Sequence, residues 1–237
     1  MAYRAIIDGF EFILDEGIAI TPKGVIEGTP RTFGELGDVM VKKGEEGKVA
    51  YWMFRDVLPV PVGGLRGDVT LVLPGRLPSG EFIKTHGHYH PEGPWGRWPE
   101  LYGVVKGEVL FILQDLKGRR VMLVPVREGE LIMVPPGYGH VMVNHKDEAA
   151  ITFNYVSRLF SSVYGPYKEK KGASVYVYPS EEGFRVVRNP NYEVEEVLWC
   201  KPLPLYIKEP ILHLAFKPHE EEWFKCEERL RVEDFPR

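Results

Sequence analysis

The sequence predicts an all-β protein, a sandwich or a closed barrel of the jelly-roll kind, for three reasons. From about residue 48 to residue 156, short runs of β-branched and aromatic residues are separated by Gly and Pro, which is typical of antiparallel strands. The turn signals recur at nearly regular spacing, and sheets of short strands avoid open edges by closing into barrels. Helix signals are sparse before residue 190. The chain of 237 residues, 44% hydrophobic and 27% charged, is long enough for one main core.

The individual elements follow from local patterns along the chain. Residues 32–36 are expected to open a short helix. A Gly-containing turn over residues 106–108 should join two strands, and a hairpin is expected around residues 116–119. Pro135 and Pro136 should end a strand, because proline supplies no donor to the ladder. The predicted strands cover residues 69–73, 100–105, 109–114, 121–126 and 131–134, with one more hairpin over residues 174–187.

We expect the chain to have three parts. Residues 1–47 form an N-terminal extension, residues 48–189 form the barrel, and residues 190–237 form a C-terminal extension. In the last part the composition shifts to Pro, Glu and Trp without a clear period. We therefore expect it to wrap the domain or to mediate a subunit contact, rather than to form a second core.

The charge and hydropathy patterns exclude several partners. The net charge of -4 comes without a basic stripe, so nucleic acid is not expected to bind. No apolar run approaches the roughly 20 residues needed to cross a bilayer, so no membrane partner is expected. The first residues carry an early acidic side chain and lack the pattern of a secretion signal, which favours a cytoplasmic location.

The two cysteines, Cys200 and Cys226, are too few and too far apart for a zinc motif or a disulfide framework. We expect them to be reduced thiols that simply pack, as is usual in a cytoplasm. The chain also has one Gln and four Asn against many Lys, Arg and Glu, a bias associated with growth at high temperature. Intracellular disulfides do occur in hyperthermophiles.

Histidines recur with the period of a strand near the middle of the chain. Residues 86, 88 and 90 project to one face, and Glu100 and His140 follow at positions bordered by Gly and Pro. Imidazole and carboxylate ligands suit a borderline divalent ion such as Fe, Mn, Ni or Zn. Three alternate histidines span about 13 Å, at about 3.3 Å per residue, so His86 is expected to contact substrate rather than the same ion. The remaining histidines, His145, His213 and His219, fall outside any such spacing.

These residues form two motifs that resemble those of the cupin superfamily. The first comprises Gly87-His88-Tyr89-His90, Glu100 and Gly107, and the second comprises Gly129-Glu130, Pro136-Gly137 and His140. Within the superfamily the sequence is more similar to the archaeal cupin-type glucose-6-phosphate isomerases. That resemblance implies a double-stranded β-helix barrel with extensions. It rests on Thr85, Gly87-His88-Tyr89-His90, Glu100-Leu101-Tyr102, Lys106-Gly107, Leu113-Gln114, Val134-Pro135-Pro136, His140, Val143-Asn144 and Tyr164-Gly165.

The resemblance implies a role for each site residue. The divalent metal ion would be bound by His88, His90, Glu100 and His140, with Fe²⁺ as the first expectation and Mn²⁺, Ni²⁺ or Zn²⁺ as alternatives. The sugar phosphate would be bound by Thr70, Thr85, Gly87 and Tyr155. His86 stands where a lysine is usual, and if the adjacent dianion protonated it, it could replace that charge. The resemblance also implies a homodimer.

The implied activity is the interconversion of glucose 6-phosphate and fructose 6-phosphate in glycolysis and gluconeogenesis. A metal with three neutral imidazoles and one carboxylate keeps a net positive charge, so it can stabilise the charge that develops on the C1 and C2 oxygens. Glu100 is the candidate base, but a hydride shift would need no base, and both routes stay open. Tyr155 and Tyr102 could position hydroxyls or transfer a proton; for Tyr102, packing in the barrel is an equal alternative.

Three other functions remain open. A mannose-6-phosphate isomerase would use the same ligands and differ in how it reads the C2 stereochemistry. A cupin dioxygenase or decarboxylase would have a more apolar cavity without phosphate donors, whereas Thr70, Thr85 and Tyr155 are such donors. A non-enzymatic sugar-binding cupin would normally have an incomplete ligand set, and here the set is complete.

Overall fold

The chain folds around two facing six-stranded β-sheets in a computed structural model, which describes residues 2–42, 47–60, 63–93, 96–204 and 223–235. The strands, numbered in chain order, are β1 (Tyr3–Ile7), β2 (Phe10–Asp15), β3 (Ile18–Thr21), β4 (Gly24–Glu27), β5 (Thr29–Thr32), β6 (Val49–Leu58), β7 (Leu65–Val72), β8 (Ile83–Lys84), β9 (Glu92–Gly93), β10 (Gly96–Arg97), β11 (Glu100–Lys106), β12 (Glu108–Gln114), β13 (Arg120–Arg127), β14 (Leu131–Val134), β15 (Gly139–Asn144), β16 (Ala150–Ser157), β17 (Val175–Ser180), β18 (Gly183–Arg188), β19 (Glu196–Pro202) and β20 (Phe224–Arg229).

The order of the strands confirms the predicted jelly-roll barrel. The first sheet has the order β14-β11-β16-β7-β6-β5, and the second has the order β20-β19-β13-β12-β15-β8. From β11 to β16 the chain crosses between the sheets repeatedly, because β11, β14 and β16 belong to the first sheet and β12, β13 and β15 to the second. The strands on either side of residues 106–108 are therefore both present but do not pair with each other. The hairpin predicted around residues 116–119 does join two paired strands, β12 and β13.

The middle strands of the second sheet, β12, β13 and β15, are buried on both faces, in keeping with their nearly continuous apolar sequences. Along β12, Phe111 and Leu113 enter one core cluster, inside the barrel, whereas Leu110 and Ile112 enter another on the outer side. The outer cluster also contains Tyr167 and other residues from the segments that follow the barrel strands. Each fully buried side chain of this kind contributes about 1.5–3 kcal/mol. The two sheets thus face each other across an interior that is partly packed and partly open.

Most of the predicted local elements are confirmed. The strands over residues 69–73, 121–126 and 131–134 and the hairpin over residues 174–187 are present, the last as β17 and β18. Residues 32–36 do open a short helix, which is of the 3₁₀ type and begins just after them. There β5 ends at Thr32, and Glu35 and Thr32 hydrogen-bond to each other's backbone and side chain, so that a turn leads into a short 3₁₀ helix (Gly37–Val39). A five-residue α-helix, α1 (Gly165–Glu169), was not predicted.

Strands from both ends of the chain add to the barrel. Strands β1 to β4 form their own four-stranded sheet, and β5 pairs with β6 at an edge of the first barrel sheet. At the other end, β19 pairs in parallel with β13, and β20 pairs with β19. None of the helices in the described ranges has the length and apolar character that a bilayer-spanning helix requires.

The expectation that the two cysteines are unpaired thiols is wrong. Cys200 and Cys226 form a disulfide, and they are directly opposite each other in the antiparallel pair β19–β20. Their separation of 26 residues in sequence does not matter, because the strand pairing brings their Cα atoms within 4.0 Å. The disulfide therefore ties β20, the edge strand of the second sheet, to its neighbour β19.

Candidate active site

Four potential metal ligands come together between the two sheets. Glu100 begins β11 in the first sheet, and His140 lies on β15 in the second. His88 forms an isolated bridge with His140, with backbone N–O distances of 3.4 and 3.1 Å, and this places the 86–90 segment beside β15. One ligand atom from each of His88, His90, Glu100 and His140 lies within 4.8 Å of those of the other three. The structure therefore assembles a group that could hold a metal ion, and it does not include His86 in that group.

The carboxylate of Glu100 is the centre of this group. Its Oε2 atom lies 3.0 Å from Nε2 of His90, 3.3 Å from Nε2 of His140 and 3.9 Å from Nε2 of His88. Glu100, His90 and His140 are each less than 5% exposed, so the group is shielded from solvent on most sides. Converging nitrogen and oxygen atoms of this kind form a coordination pocket.

The loop between His90 and Glu100 orients His90. Nδ1 of His90 donates a hydrogen bond to the carbonyl oxygen of Trp98 at 2.8 Å, which leaves the Nε2 lone pair free to face the group. Arg97 donates to the carbonyl oxygen of His90 at 2.7 Å, and the Trp98 ring stacks on Phe160 at a centroid distance of 5.8 Å. This Trp-containing loop therefore holds the ring of His90 in place.

Two buried polar atoms at the centre of the group have no hydrogen-bond partner among the described residues: Nε2 of His90 and Oε2 of Glu100. Their separation of 3.0 Å is short, but both are acceptors when Nδ1 of His90 donates to Trp98, and two acceptors form no hydrogen bond. Leaving such atoms unsatisfied costs about 1–3 kcal/mol each. A divalent cation would satisfy both at once, so the residues present fit a metal ion.

Electrostatics also favour this interpretation. Burial lowers the pKa of His88 well below its ordinary value, and burial likewise lowers the pKa of His140. Burial would raise the pKa of Glu100, but the imidazoles of His140 and His90 outweigh it and hold that pKa well below its usual range. Neutral imidazoles and an ionised carboxylate are the protonation states in which these side chains bind metals.

The other oxygen of Glu100 is held by a residue that the sequence analysis missed. Nδ2 of Asn154 donates to Oε1 of Glu100 at 2.7 Å, and both side chains are buried. Asn154 lies on β16, next to β11 in the first sheet. A hydrogen bond of this kind fixes the orientation of a ligating carboxylate.

A cavity of about 330 Å³ opens beside the group, and most of the predicted substrate residues line it. Thr70, Thr85, His86 and Gly87 are all at its wall. The hydroxyl of Thr85 accepts a hydrogen bond from the backbone of Met142 at 3.0 Å and keeps its own proton to donate. Gly87 has φ +80°, and a Cβ there would come within 2.5 Å of Val141, so only glycine fits where the backbone turns.

The environment of His86 favours the neutral form of its ring. Burial lowers the pKa of His86, so the ring is neutral at pH 7. Its Nδ1 lies 3.1 Å from the carbonyl oxygen of Gly87, and its ring packs edge-on against Tyr164 at 5.1 Å. His86 therefore presents its remaining ring atoms to the cavity as a neutral group.

The structure does not place Tyr155, which was predicted to contact the substrate, at the cavity. Its hydroxyl donates to the carbonyl oxygen of Pro59 at 3.3 Å, and the side chain does not line the cavity. The cause is the alternation of a strand: on β16 the neighbours Asn154 and Val156 face the cavity, so Tyr155 faces the other side. Tyr102, by contrast, lines the cavity, with its hydroxyl 3.0 Å from Nε2 of His140.

Several further cavity residues were not predicted. Arg55, Arg66 and Tyr51 line the wall on β6 and β7, and Tyr164 lines it just before α1. A signal for Arg66 was present, because it lies four residues before Thr70 and therefore on the same face of one strand. Among the other histidines, His145 contacts Glu108 with an N–O distance of 3.0 Å. His213 and His219 lie outside the described residues.

A jelly-roll barrel that encloses three histidines, one carboxylate and a polar cavity defines a candidate metalloenzyme of the cupin class. Comparison with known proteins then identifies the family. The family model described as glucose-6-phosphate isomerase matches residues 43–195, which is more than half of the chain. The chain belongs to this glucose-6-phosphate isomerase family.

Individual relatives agree with the family match. The chain is 33% identical to a glucose-6-phosphate isomerase of Thermococcus onnurineus over 131 residues, covering 55% of this chain and 66% of that one. It is 28% identical to the enzymes of Thermococcus gammatolerans and Pyrococcus abyssi, covering 72% of this chain and 92% of each of theirs. Among solved structures, recombinant oxalate oxidase in complex with glycolate overlaps 54% of this chain and 62% of that one, at 21% identity and a TM-score of 0.40. The fold assignment rests on the strand order, not on that partial overlap.

Proposed function

We propose that this protein is a metal-dependent isomerase that interconverts glucose 6-phosphate and fructose 6-phosphate, in glycolysis and gluconeogenesis. The observation that carries the proposal is the buried group of three imidazoles and one carboxylate at the wall of a cavity that also presents hydroxyl donors. The named relatives support the choice of substrate. A sugar-phosphate substrate, rather than an apolar acid, also suits a cavity lined by Thr70, Thr85 and two arginines.

In this proposal His88, His90, Glu100 and His140 hold one divalent ion, with Fe²⁺ as the first expectation and Mn²⁺, Ni²⁺ or Zn²⁺ as alternatives. When bound, the ion would stabilise negative charge that develops on the C1 and C2 oxygens of the sugar. The mixed nitrogen and oxygen ligand set supports such ions over Ca²⁺ or Mg²⁺, which prefer oxygen ligands.

The other end of the sugar would lie against Thr70, Thr85, His86 and Gly87. The hydroxyls of Thr70 and Thr85 and the backbone N–H of Gly87 are neutral donors, and His86 is neutral by burial. These groups can orient a phosphate by hydrogen bonds, but they supply no charge to it.

The transfer of hydrogen between C1 and C2 can follow two routes. Glu100 is the candidate proton acceptor, because it is the carboxylate that lines the cavity, although ligation of a metal through Oε2 would lower its basicity. A direct hydride shift would leave Glu100 with a binding role alone. Glucose 6-phosphate deuterated at C2 separates the two: loss of the label to water supports a base, whereas complete retention in fructose 6-phosphate supports a hydride shift.

A coupled assay tests the proposed activity. Conversion of fructose 6-phosphate to glucose 6-phosphate is measured before chelation, after chelation, and after each of the four metals is restored. We expect turnover to disappear with the metal and to return with at least one of the four. No turnover with any of them would end the proposal. Mannose 6-phosphate formation, measured in parallel, separates the two sugar-phosphate specificities.

The remaining expectations are proposals of the same kind. We propose that residues 48–189 act as the catalytic barrel, with residues 1–47 and 190–237 as extensions; pairing of β5, β19 and β20 at sheet edges supports this. We also propose a cytoplasmic homodimer that works at high temperature. The low Gln and Asn content and the disulfide support the temperature preference. Light scattering would report the dimer directly, as a mass of twice 27.1 kDa.

A further inference from the structure

Two arginines at the cavity wall share one buried carboxylate. Nη1 of Arg55 donates to Oδ2 of Asp68 at 2.6 Å, and Nε of Arg66 donates to the same carboxylate at 2.8 Å. The backbone N–H of Asp56 also donates to Asp68, at 3.0 Å. Asp68 is 1% exposed, whereas the side chains of Arg55 and Arg66 are 46% and 31% exposed. Asp68 thus anchors both guanidinium groups while they remain open to the cavity.

The strand register places this cluster across the first sheet from the candidate metal ligands. Asp68 on β7 is directly opposite Asn154 on β16, and Asn154 binds Glu100 on β11. Two strand spacings of about 4.8 Å separate β7 from β11, or roughly 10 Å along the sheet. Thr70 lies two residues from Asp68 on the same face of β7. An extended hexose phosphate with C1 and C2 at Glu100 would reach this region.

The cluster also supplies the charge that the other donors lack. Of the described residues that line the cavity, Arg55 and Arg66 are the members of the Lys and Arg class. Two guanidinium charges against one carboxylate leave an excess of one positive charge. Within the described part of the chain, no acceptor is recorded for Nη1 or Nη2 of Arg66, so these donors are available to a ligand. A phosphate dianion in a partly enclosed cavity binds best where charged donors replace its water.

We propose that Arg55 and Arg66, held in place by Asp68, form the charged subsite that binds the phosphate group of the substrate. Thr70 supplies a neutral donor beside them, and Asp68 is a positioning residue. The subsite rests on the proposed function for the identity of the ligand, but its chemistry is that of any phosphate monoester or inorganic phosphate. It makes the cavity selective for phosphorylated over free sugars.

The test compares three variants that each lose one positive charge. Arg66→Gln and Arg55→Gln each leave Asp68 bound by the other arginine and by the Asp56 N–H, so the fold keeps its anchor. Arg158→Gln is the matched control, because Arg158 pairs with Asp56 and with the Leu65 carbonyl oxygen and does not line the cavity. The metal-loaded protein is used throughout.

Three quantities are measured for each variant: the dissociation constant of inorganic phosphate, by calorimetry, and KM and kcat for fructose 6-phosphate. We expect Arg66→Gln and Arg55→Gln to raise both the dissociation constant and KM by roughly 10- to 100-fold, as the loss of a charged hydrogen bond implies. Their kcat should change far less than KM, and Arg158→Gln should match the unmodified protein. Arg66→Lys, which keeps the charge but loses the fork of donors, should recover part of the affinity.

Salt gives a second readout on the unmodified protein. Phosphate affinity should fall as ionic strength rises, and it should fall less steeply in Arg66→Gln. Unchanged phosphate affinity in both arginine variants, or no measurable phosphate binding to the unmodified protein, would overturn the subsite. If the protein fails to isomerise fructose 6-phosphate but loses phosphate affinity in Arg66→Gln, the subsite stands and the proposed reaction falls. If the protein isomerises fructose 6-phosphate but KM is unchanged in both arginine variants, the proposed reaction stands and the subsite falls.

Discussion

Replacing Asn154 with alanine should weaken metal binding without disturbing the barrel. The side chain of Asn154 makes one hydrogen bond of 2.7 Å to Oε1 of Glu100, and both residues are 4% exposed. A hydrogen bond to a charged group is worth about 1.5–3 kcal/mol. At about 1.4 kcal/mol per tenfold change, its loss corresponds to roughly 10- to 100-fold in affinity. Loss of a partner that orients a metal ligand has the same typical effect, about 10- to 100-fold.

The assay is a competition between the protein and a chelator of known affinity, with Zn²⁺ and Ni²⁺ titrated separately. Asn189→Ala is the matched control, because Asn189 is also buried and makes two hydrogen bonds of 2.8 Å to backbone carbonyls, but it does not line the cavity. It should lower thermal stability while leaving metal affinity unchanged. Equal affinity of Asn154→Ala and the unmodified protein for both metals would show that Asn154 does not orient Glu100 for metal binding. An equal loss of affinity in Asn189→Ala would show that the effect is not specific to Asn154.

Three further outcomes are expected from changes elsewhere in the chain. Tyr155→Phe should keep kcat and KM within about twofold, because the Tyr155 hydroxyl donates to a backbone carbonyl away from the cavity. It should lower the free energy of unfolding by about 1 kcal/mol, measured with urea. A large loss of kcat would instead indicate a catalytic role for Tyr155. Cys200→Ser should destabilise the protein by about 3–4 kcal/mol, as expected for the loss of a disulfide between residues 26 apart. Reduction of the Cys200–Cys226 bond should have the same effect. Equal unfolding curves with and without reductant would contradict this. Burial opposes ionisation of Glu108, but hydrogen bonds, chiefly the one from Lys146, lower the pKa of its carboxyl group. Ionised Glu108 therefore stabilises the folded protein fully at neutral pH, above the pKa that the group has in the unfolded chain. That stabilisation is lost as the pH falls through the lowered pKa of the folded state. Glu108→Gln should therefore reduce the difference in melting temperature between pH 7 and pH 3, and an unchanged difference would count against that ion pair.

The period of a strand accounts for what the sequence predicted correctly. Residues 88 and 90 alternate on one strand-like segment, and the structure brings both to Glu100 and His140. Thr85 and Gly87 also line the cavity, because they lie in the same short segment as these histidines. In each case the information lies within a few residues of the chain, where side-chain direction follows from spacing alone.

The same period explains why Tyr155 does not lie at the cavity. Neighbouring residues of a strand point to opposite faces, so a shift of one residue changes which side chains face the cavity. On β16 these are Asn154 and Val156 rather than Tyr155. No local signal shows which residues of β16 face the cavity, because every residue of the strand is buried and its sequence does not alternate between polar and apolar positions. The register comes from the pairing of β16 with β7 and β11.

The remaining differences depend on contacts between distant parts of the chain. The disulfide requires β20 to pair with β19, and the Arg55–Asp68–Arg66 cluster requires β6 to pair with β7 through an irregular register. The turn at residues 106–108 resembles a hairpin locally, yet the strands on each side find partners in opposite sheets. Spacing along a sequence identifies the face of a strand, but strand order decides what that face meets.

A titration of turnover against bound metal tests most directly whether the isomerisation depends on one ion held by His88, His90, Glu100 and His140. Protein freed of metal by chelation is reloaded stepwise, and fructose 6-phosphate isomerisation is measured together with the metal content per chain. We expect turnover to rise in proportion to bound metal and to level off at one ion per chain. We also expect His140→Ala to bind far less metal and to stay inactive. Full turnover in protein with no detectable metal, or an equal metal content and activity in His140→Ala, would contradict these expectations.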